Sequence, residues 1–498
     1  MKKYLLEIIV FISGAVVMIF EITGSRILSP YVGTSTFVWT SLIGVILASL
    51  SIGYWLGGKL ADKKSDYKTL ALIIFFAGLL IGLITLIKDN VLVSIQHIII
   101  DIRWASVISA LTLFTIPSIL LGMVSPYALK LKLDNIDSAG KTAGNLYAIS
   151  TIGSIVGTFS AGFFLIPLFG NAKILIFLSI ILVVVSLLCY SKKLLSTRIA
   201  TIILILIISL INIPSPLNAI EEFIDLDTSY SRVWIYNDID KKTNEPIKVL
   251  QISSDGHSAI FLNNDELVYE YTKYYHLAKH FFPEFYSTLM LGGAAYSYPK
   301  DFLDKYDKAT IDVVEIDPKL TELAREYFGL VDNDRLTIIH EDGRTFINIS
   351  NKKYDVIFGD AFTSFYSIPY QLTTIEAVNN IYNLLSDNGL AIINIASAIE
   401  GDGGKFLRAE IATYQEVFPQ VYIIPVFSPS DGKKFQNIIM IALKSNIIPS
   451  FESPDKELNK YLSNLWTKDI PNDVPILTDD HAPVDYYLNI ALSEIYKQ

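Results

Sequence analysis

Cysteine is all but missing, Cys189 being the only one among 498 residues. An intramolecular disulfide is therefore excluded, and so is a zinc site built on cysteine thiolates. Charge is scarce as well. Asp, Glu, Lys and Arg make up 18% of the chain and hydrophobic residues 51%, too apolar for an ordinary soluble protein and far from a disordered one. The charge that is present divides unevenly. Residues 1–220 hold 16 Lys and Arg against 8 Asp and Glu, and the remainder holds 24 against 42, so a segment of net +8 joins one of net −18. The acidic part lacks the basic face that nucleic-acid phosphates require, which argues against nucleic acid as a partner. A G-x-G-x-x-G turn is also missing, so dinucleotide binding is poorly supported.

What fills the first part is apolar sequence. Residues 1–213 read as a multi-pass transmembrane region of about seven helices, near 5–25, 36–57, 69–87, 105–124, 145–168, 172–190 and 199–213. Most reach the roughly 20 residues that a hydrocarbon core of about 30 Å requires. Lys2 and Lys3 before the first run imitate a signal peptide, but no clear small-residue cleavage site follows, and the expectation is an uncleaved first helix. Basic residues collect in alternate loops: Lys2 and Lys3, then Lys59, Lys63, Lys64 and Lys68, then Lys130, Lys132 and Lys141, then Lys192, Lys193 and Arg198. The positive-inside rule places these loops in the cytoplasm. Seven spans would then put the acidic part outside. The run 199–213 is short, however, about 22 Å at 1.5 Å per residue, and residues 91–124 offer room for an extra span. Glu21 and Arg26 sit at or near the end of the first span, as interfacial or mutually paired groups or as functional ones.

Residues 214–286 read as a linker opened by Pro214 and Pro216, then a small antiparallel β unit. Its strands are Ser231–Tyr236, Lys248–Ile252 and Ser258–Leu262, with turn signals at Asn237-Asp238 and Asp255-Gly256. From residue 287 to 498 strands and helices alternate. The strands are 287–291, 310–316, 335–340, 354–359 and 389–395, with helical patterns at 318–328 and 373–385 and late strands at 421–427 and 437–443. Alternation of this kind predicts an α/β Rossmann-like, methyltransferase-type doubly wound sheet. Ligands in such sheets bind beyond the carboxyl ends of the strands.

The residues at those ends carry the chemistry. The first strand ends in Gly292-Gly293, where backbone can approach a ligand. The second ends in Glu315-Ile316-Asp317, where a carboxylate can take both hydroxyls of a ribose. The third is followed by Glu341-Asp342-Gly343 and the fourth by Gly359-Asp360. Each alone also suits a solvated acid or a helix cap. Together, in this order, they describe an adenosine-sulfonium pocket better than a dinucleotide one.

Residues 228–445 resemble the spermidine synthase (polyamine aminopropyltransferase) domain, through LMLGGAAYSYP, VVEIDP, HEDGRTF and YDVIFGDAFTS. The whole chain resembles the membrane-fused form of that family, with a transporter-like N-terminus, and Gly58-Lys-Leu-Ala-Asp62-Lys resembles a major-facilitator loop. The resemblance implies transfer of an aminopropyl group from decarboxylated S-adenosylmethionine to an amine such as putrescine, releasing methylthioadenosine, with no prosthetic group. It implies that Glu315 binds the ribose hydroxyls, that Asp342 and Gly343 hold the adenine, that Gly292 and Gly293 form the nucleoside turn, that Pro369 lines the nucleoside site, and that Asp360 accepts the proton. On the amine side it points to His276, Ser231, Thr363 and Tyr366. Departures fall on this amine side. Ala295 stands where the family has an amine-gripping aspartate, Thr363 where it has a second one, and Ser231 where it has a glutamine. Tyr366 and Tyr370 could line an amine channel by cation–π contact. The expected partners are a small polyamine and the lipid bilayer of a cell membrane, with the catalytic domain on the cytoplasmic side and a homodimer left open. Competing readings are an S-adenosylmethionine-dependent methyltransferase and a transporter or sensor whose domain binds nucleoside or polyamine without turnover.

Overall fold

The computed structural model describes residues 4–99, 101–133, 135, 138–189, 223–252, 255–361 and 368–495. The chain divides into two units, residues 1–219 with 226–231, and residues 220–225 with 232–498.

Among its described residues the first unit contains six helices long and apolar enough to cross a membrane: α1 (Leu5–Val32), α2 (Thr36–Lys63), α3 (Tyr67–Ile98), α4 (Ile102–Lys132), α5 (Ala139–Ser160, prolonged to Leu168 through a π-helical stretch at Ala161–Leu165) and α6 (Asn171–Cys189). Asp66 caps α3 by accepting from the Thr69 N–H at 2.7 Å, and Asp101 caps α4 by accepting from the Arg103 N–H at 2.9 Å. The expected seventh run, 199–213, lies outside the described residues, as do the linker prolines. Residues 91–124 hold no additional span, because α3 ends at Ile98 and α4 starts at Ile102. Glu21 and Arg26 lie inside α1 rather than at its end. Close packing of α2 on α4 depends on Gly53, where a side chain would come within 2.3 Å of the Ile119 carbonyl oxygen.

The second unit begins with a small sheet of β1 (Ile224–Asp227), β2 (Arg232–Ile239), β3 (Pro246–Ile252) and β4 (Asp255–Phe261), in that order. Neither expected turn is one. Asn237-Asp238 continues β2 opposite Lys248 and Ile247, and Asp255-Gly256 opens β4. The β2–β3 turn is instead Asp240–Glu245, closed by the Asp240 carboxylate, which accepts from the Lys242 and Thr243 N–H groups at 3.2 and 2.7 Å.

The large sheet contains β5 (Ser287–Leu291), β6 (Thr310–Val314), β7 (Leu336–Ile339), β8 (Tyr354–Gly359), β9 (Leu385–Ser397), β10 (Gln420–Pro425) and β11 (Gln436–Leu443). Their spatial order is β10-β11-β9-β8-β5-β6-β7. β5 through β9 pair in parallel and β11 runs antiparallel to both of its neighbours. This is a Rossmann-like, methyltransferase-type sheet. Helices α7 (Ser297–Lys305), α8 (Pro318–Tyr327), α9 (Gly343–Ile349), α10 (Ile375–Leu384), α11 (Lys405–Gln415), α12 (Lys456–Leu462) and α13 (Val484–Ile495) accompany it. One face buries Leu289, Leu291, Ile357, Ile393 and Ile395, and the other buries Met290, Val356, Phe358 and Ile392 with Tyr275, Tyr298 and Phe302. Burial on both faces explains why these strands read as continuous apolar runs. The chain order reverses between β5 and β8, and a ligand crevice is expected at that point.

Candidate active site

The β5–α7 turn and the end of β8 are built against each other. The Asp360 N–H donates to the Leu291 carbonyl at 2.9 Å. Gly292 has φ +96°, and a side chain there would come within 2.4 Å of the Asp360 carbonyl oxygen. Only glycine satisfies both demands. Tyr296 closes the turn in the left-handed region, with its buried hydroxyl 2.7 Å from Thr321 Oγ1, which is in turn 3.0 Å from His340 Nε2. This connects the turn to the end of β7.

Glu315, one residue past β6, is buried. Its Oε2 accepts from the Gly293 and Ala294 N–H groups at 2.9 and 3.0 Å, and its Oε1 accepts from the Asp317 N–H at 3.0 Å. A carboxylate offers about four acceptor positions, so two hold the β5–α7 turn, one holds the Asp317 N–H, and one is left on Oε1. Asp342 caps α9 through Oδ1, which accepts from the Thr345 N–H at 2.9 Å. A side chain at Gly343 would meet Leu372 at 3.6 Å and Leu291 at 3.9 Å. Pro369 accepts at its carbonyl from the Leu372 N–H, and its turn thereby reaches the Gly343 side of the crevice. Gly292, Gly293, Glu315, Asp342, Gly343, Pro369 and Asp360 thus form one run of neighbours along the strand ends.

Asp360 continues the face of Phe358, and two side chains donate to it. Asn394 on β9 donates from Nδ2 to Oδ1 at 3.0 Å, and the Tyr271 hydroxyl donates to Oδ2 at 3.3 Å. Tyr275 packs against Phe358 with ring centroids 5.5 Å apart. Burial, and then the Asp360 charge, push the Tyr271 and Tyr275 hydroxyls well above the usual phenol range. Both therefore stay protonated, and Tyr271 is a fixed donor toward the carboxylate. Tyr269 stacks on Tyr271 at 6.2 Å, giving an aromatic wall beside a negative charge, the surroundings that suit an alkylammonium.

The amine-side residues expected from the sequence fare differently. His276 is buried away from Asp360, with Nδ1 2.8 Å from the Tyr306 hydroxyl and Nε2 2.9 Å from Asp301 Oδ2. Burial would raise the Asp301 pKa, but the His276 and Lys305 contacts outweigh it and hold the carboxyl below its usual range. His276 is thus engaged by Tyr306 and Asp301 in this structure. Ser231 closes a tight turn with Thr228, whose Oγ1 accepts from the Ser231 N–H at 2.9 Å. Thr363 and Tyr366 lie outside the described residues. Ala295 is fully buried. The sequence reading passed over Tyr271, Tyr275 and Asn394. The signals were a Tyr pair spaced i, i+4 and one amide inside the apolar run Leu390–Ile395.

Sheet order and the glycine turn define an α/β domain of the Rossmann-like, methyltransferase type. Comparison with known proteins narrows this. The spermine/spermidine synthase domain matches residues 269–446. A polyamine aminopropyltransferase of Streptococcus pneumoniae serotype 4 (strain ATCC BAA-334 / TIGR4) is 30% identical over 222 residues, covering 43% of this chain and 76% of that protein. A probable polyamine aminopropyl transferase of Bifidobacterium longum (strain NCC 2705) is 26% identical over 234 residues, covering 42% and 50%. An N-terminal histidine N-methyltransferase of Emericella nidulans is 34% identical over 153 residues, covering 29% and 26%. The match spans half of the second relative's length and about a quarter of the third's. The chain belongs to the spermine/spermidine synthase family.

Proposed function

We propose that the C-terminal unit moves an aminopropyl group from decarboxylated S-adenosylmethionine to a small amine, releasing methylthioadenosine. The observation that carries this reading is Asp360, set at the switch point of the sheet, held at both oxygens, and faced by Tyr271 and Tyr275. The nucleoside takes the neighbouring strand ends, with the free Oε1 position of Glu315 on the ribose and Asp342-Gly343 beside the adenine. The sulfonium carbon then lies over the glycine turn, and the acceptor arrives from the Asp360 side. An alkylammonium has a pKa near 10 and no lone pair. Asp360 holds the cation, orients it and takes its proton as nitrogen attacks carbon and the carbon–sulfur bond breaks. Alignment supplies most of the remaining acceleration.

Asp360→Asn tests the assignment. It keeps the shape and removes both the charge and the proton acceptor. A general base is worth about 10²–10⁴-fold, so turnover should fall by that much while methylthioadenosine binding holds. Turnover within a few-fold of the unmodified protein, in a folded variant, would remove Asp360 from the mechanism.

Methyl transfer is the second reading, favoured by Ala295, which leaves no carboxylate for a cationic donor tail, and by the histidine N-methyltransferase relative. S-adenosylhomocysteine as product would mark it.

We further propose that the domain faces the cytoplasm. The six candidate spans among the described residues leave the basic loops after α2 and α4 on one side, the side the positive-inside rule makes cytoplasmic.

A further inference from the structure

The Asp360–Asn394 contact is one step of a longer chain. Asn394 is 5% exposed, in a strand whose other central residues are aliphatic. Its Oδ1 accepts from Asn437 Nδ2 at 3.0 Å. Asn437 lies on the antiparallel strand β11 opposite Ala396, diagonal to Asn394 and on the same face of the sheet. Three strands, β11, β9 and β8, thus pass one directed set of hydrogen bonds: Asn437 donates to Asn394, and Asn394 donates to Asp360.

The direction matters. An amide side chain can present either its oxygen or its NH₂ group to a neighbour. Turned the other way, Asn394 would aim a carbonyl oxygen at the Asp360 carboxylate and its NH₂ at the Asn437 donor, two repulsions at once. The Asp360 carboxylate disfavours that orientation on one side, and Asn437, presenting its NH₂ group, disfavours it on the other. A buried amide with one partner missing is costly, so the pair acts as a unit. We propose that Asn437 is a positioning residue for Asp360, acting through Asn394. It fixes the amide so that Asp360 Oδ1 always meets a donor, while the Tyr271 hydroxyl holds Oδ2. Asp360 is then fixed in rotamer. Among the described residues, the titratable groups facing it are Tyr271 and Tyr275, with Glu315 across the glycine turn. This inference rests on the proposed role of Asp360 and adds a residue two strands away that touches no reacting atom.

The test uses the full chain in detergent, with decarboxylated S-adenosylmethionine and a diamine. Asn437→Leu conserves volume and removes the donor. Its kcat should fall about 3–30-fold, a fraction of what a general base is worth, with methylthioadenosine affinity unchanged. The acidic limb of the pH–rate profile should move up, because the Asp360 charge loses a fixed donor. Asn394→Asp sets a second carboxylate 3.0 Å from Asp360. The two would share a proton, and the acidic limb should rise by about one unit or more. A purely structural role would lower stability and leave both profiles in place, and that result in folded variants overturns the proposal. If the unmodified protein makes no methylthioadenosine, the proposed function falls instead. The relay is then judged from the ¹³C titration of the Asp360 carboxyl, which must move upward in Asn437→Leu for the relay to stand.

Discussion

At the scale of single residues, a strand-end acid holds the glycine turn, and the proposed nucleoside contact draws on the same carboxylate. Glu315 shows this most directly, because three backbone N–H groups already occupy its oxygens. Glu315→Gln would turn at least one NH₂ hydrogen toward those donors. Nucleoside affinity should fall about 10–100-fold, the range for hydrogen bonds to a charged group, and the melting temperature should fall with it. Calorimetry on the folded variant checks the first and thermal unfolding the second. Unchanged affinity would leave Glu315 as a clamp on the turn alone. The position of Glu315, Asp342 and Asp360 was legible in the sequence, since strand ends follow from apolar runs bounded by polar residues. Their hydrogen-bond commitments were not, because those depend on which backbone N–H groups the turn presents. His276 illustrates the same limit. Its neighbours Asp301, Lys305 and Tyr306 come from a helix about 25 or more residues away, and no local pattern announces them.

At the scale of elements, strand and helix boundaries agreed where burial decided them and failed where polar residues were satisfied locally. β9 starts at Leu385, ahead of the expected 389, because Asn388 takes φ +64° and the pairing with β8 shifts register there. The Asn388-Gly389 pair is thus absorbed into a bulged strand. α3 runs past the expected end at 87 through Lys88 and Asp89. The Asp89 carboxylate accepts from Lys88 Nζ at 2.6 Å and from the Tyr31 hydroxyl at 2.7 Å, so the polar pair does not stop the helix. α11 carries a testable anomaly of its own. Glu410 is 3% exposed, and burial alone pushes its carboxyl well above the usual range. A carboxyl with a raised folded-state pKa stabilises below its unfolded value, near 4.3, and loses that contribution as pH rises through the folded value. Glu410→Gln removes the titration and keeps the shape. It should raise the melting temperature at pH 8 and change it little at pH 4. Equal shifts at both pH values would show that Glu410 is not held neutral.

At the scale of the whole molecule, the division of charge in the sequence corresponds to the two units, an apolar helical one and an acidic α/β one. An acidic domain attracts polycations, and a cytosolic nucleoside donor requires the domain on the cytoplasmic side. Protease added to intact, right-side-out cells should therefore leave the C-terminal unit whole, and its digestion would contradict that placement. The central claim is the chemistry at Asp360, and the nucleoside product reads it most directly. The purified chain, given decarboxylated S-adenosylmethionine and putrescine, should release methylthioadenosine in equal amount to a new polyamine, as seen by mass spectrometry. S-adenosylhomocysteine formed from S-adenosylmethionine, with no methylthioadenosine from the decarboxylated donor, would contradict it.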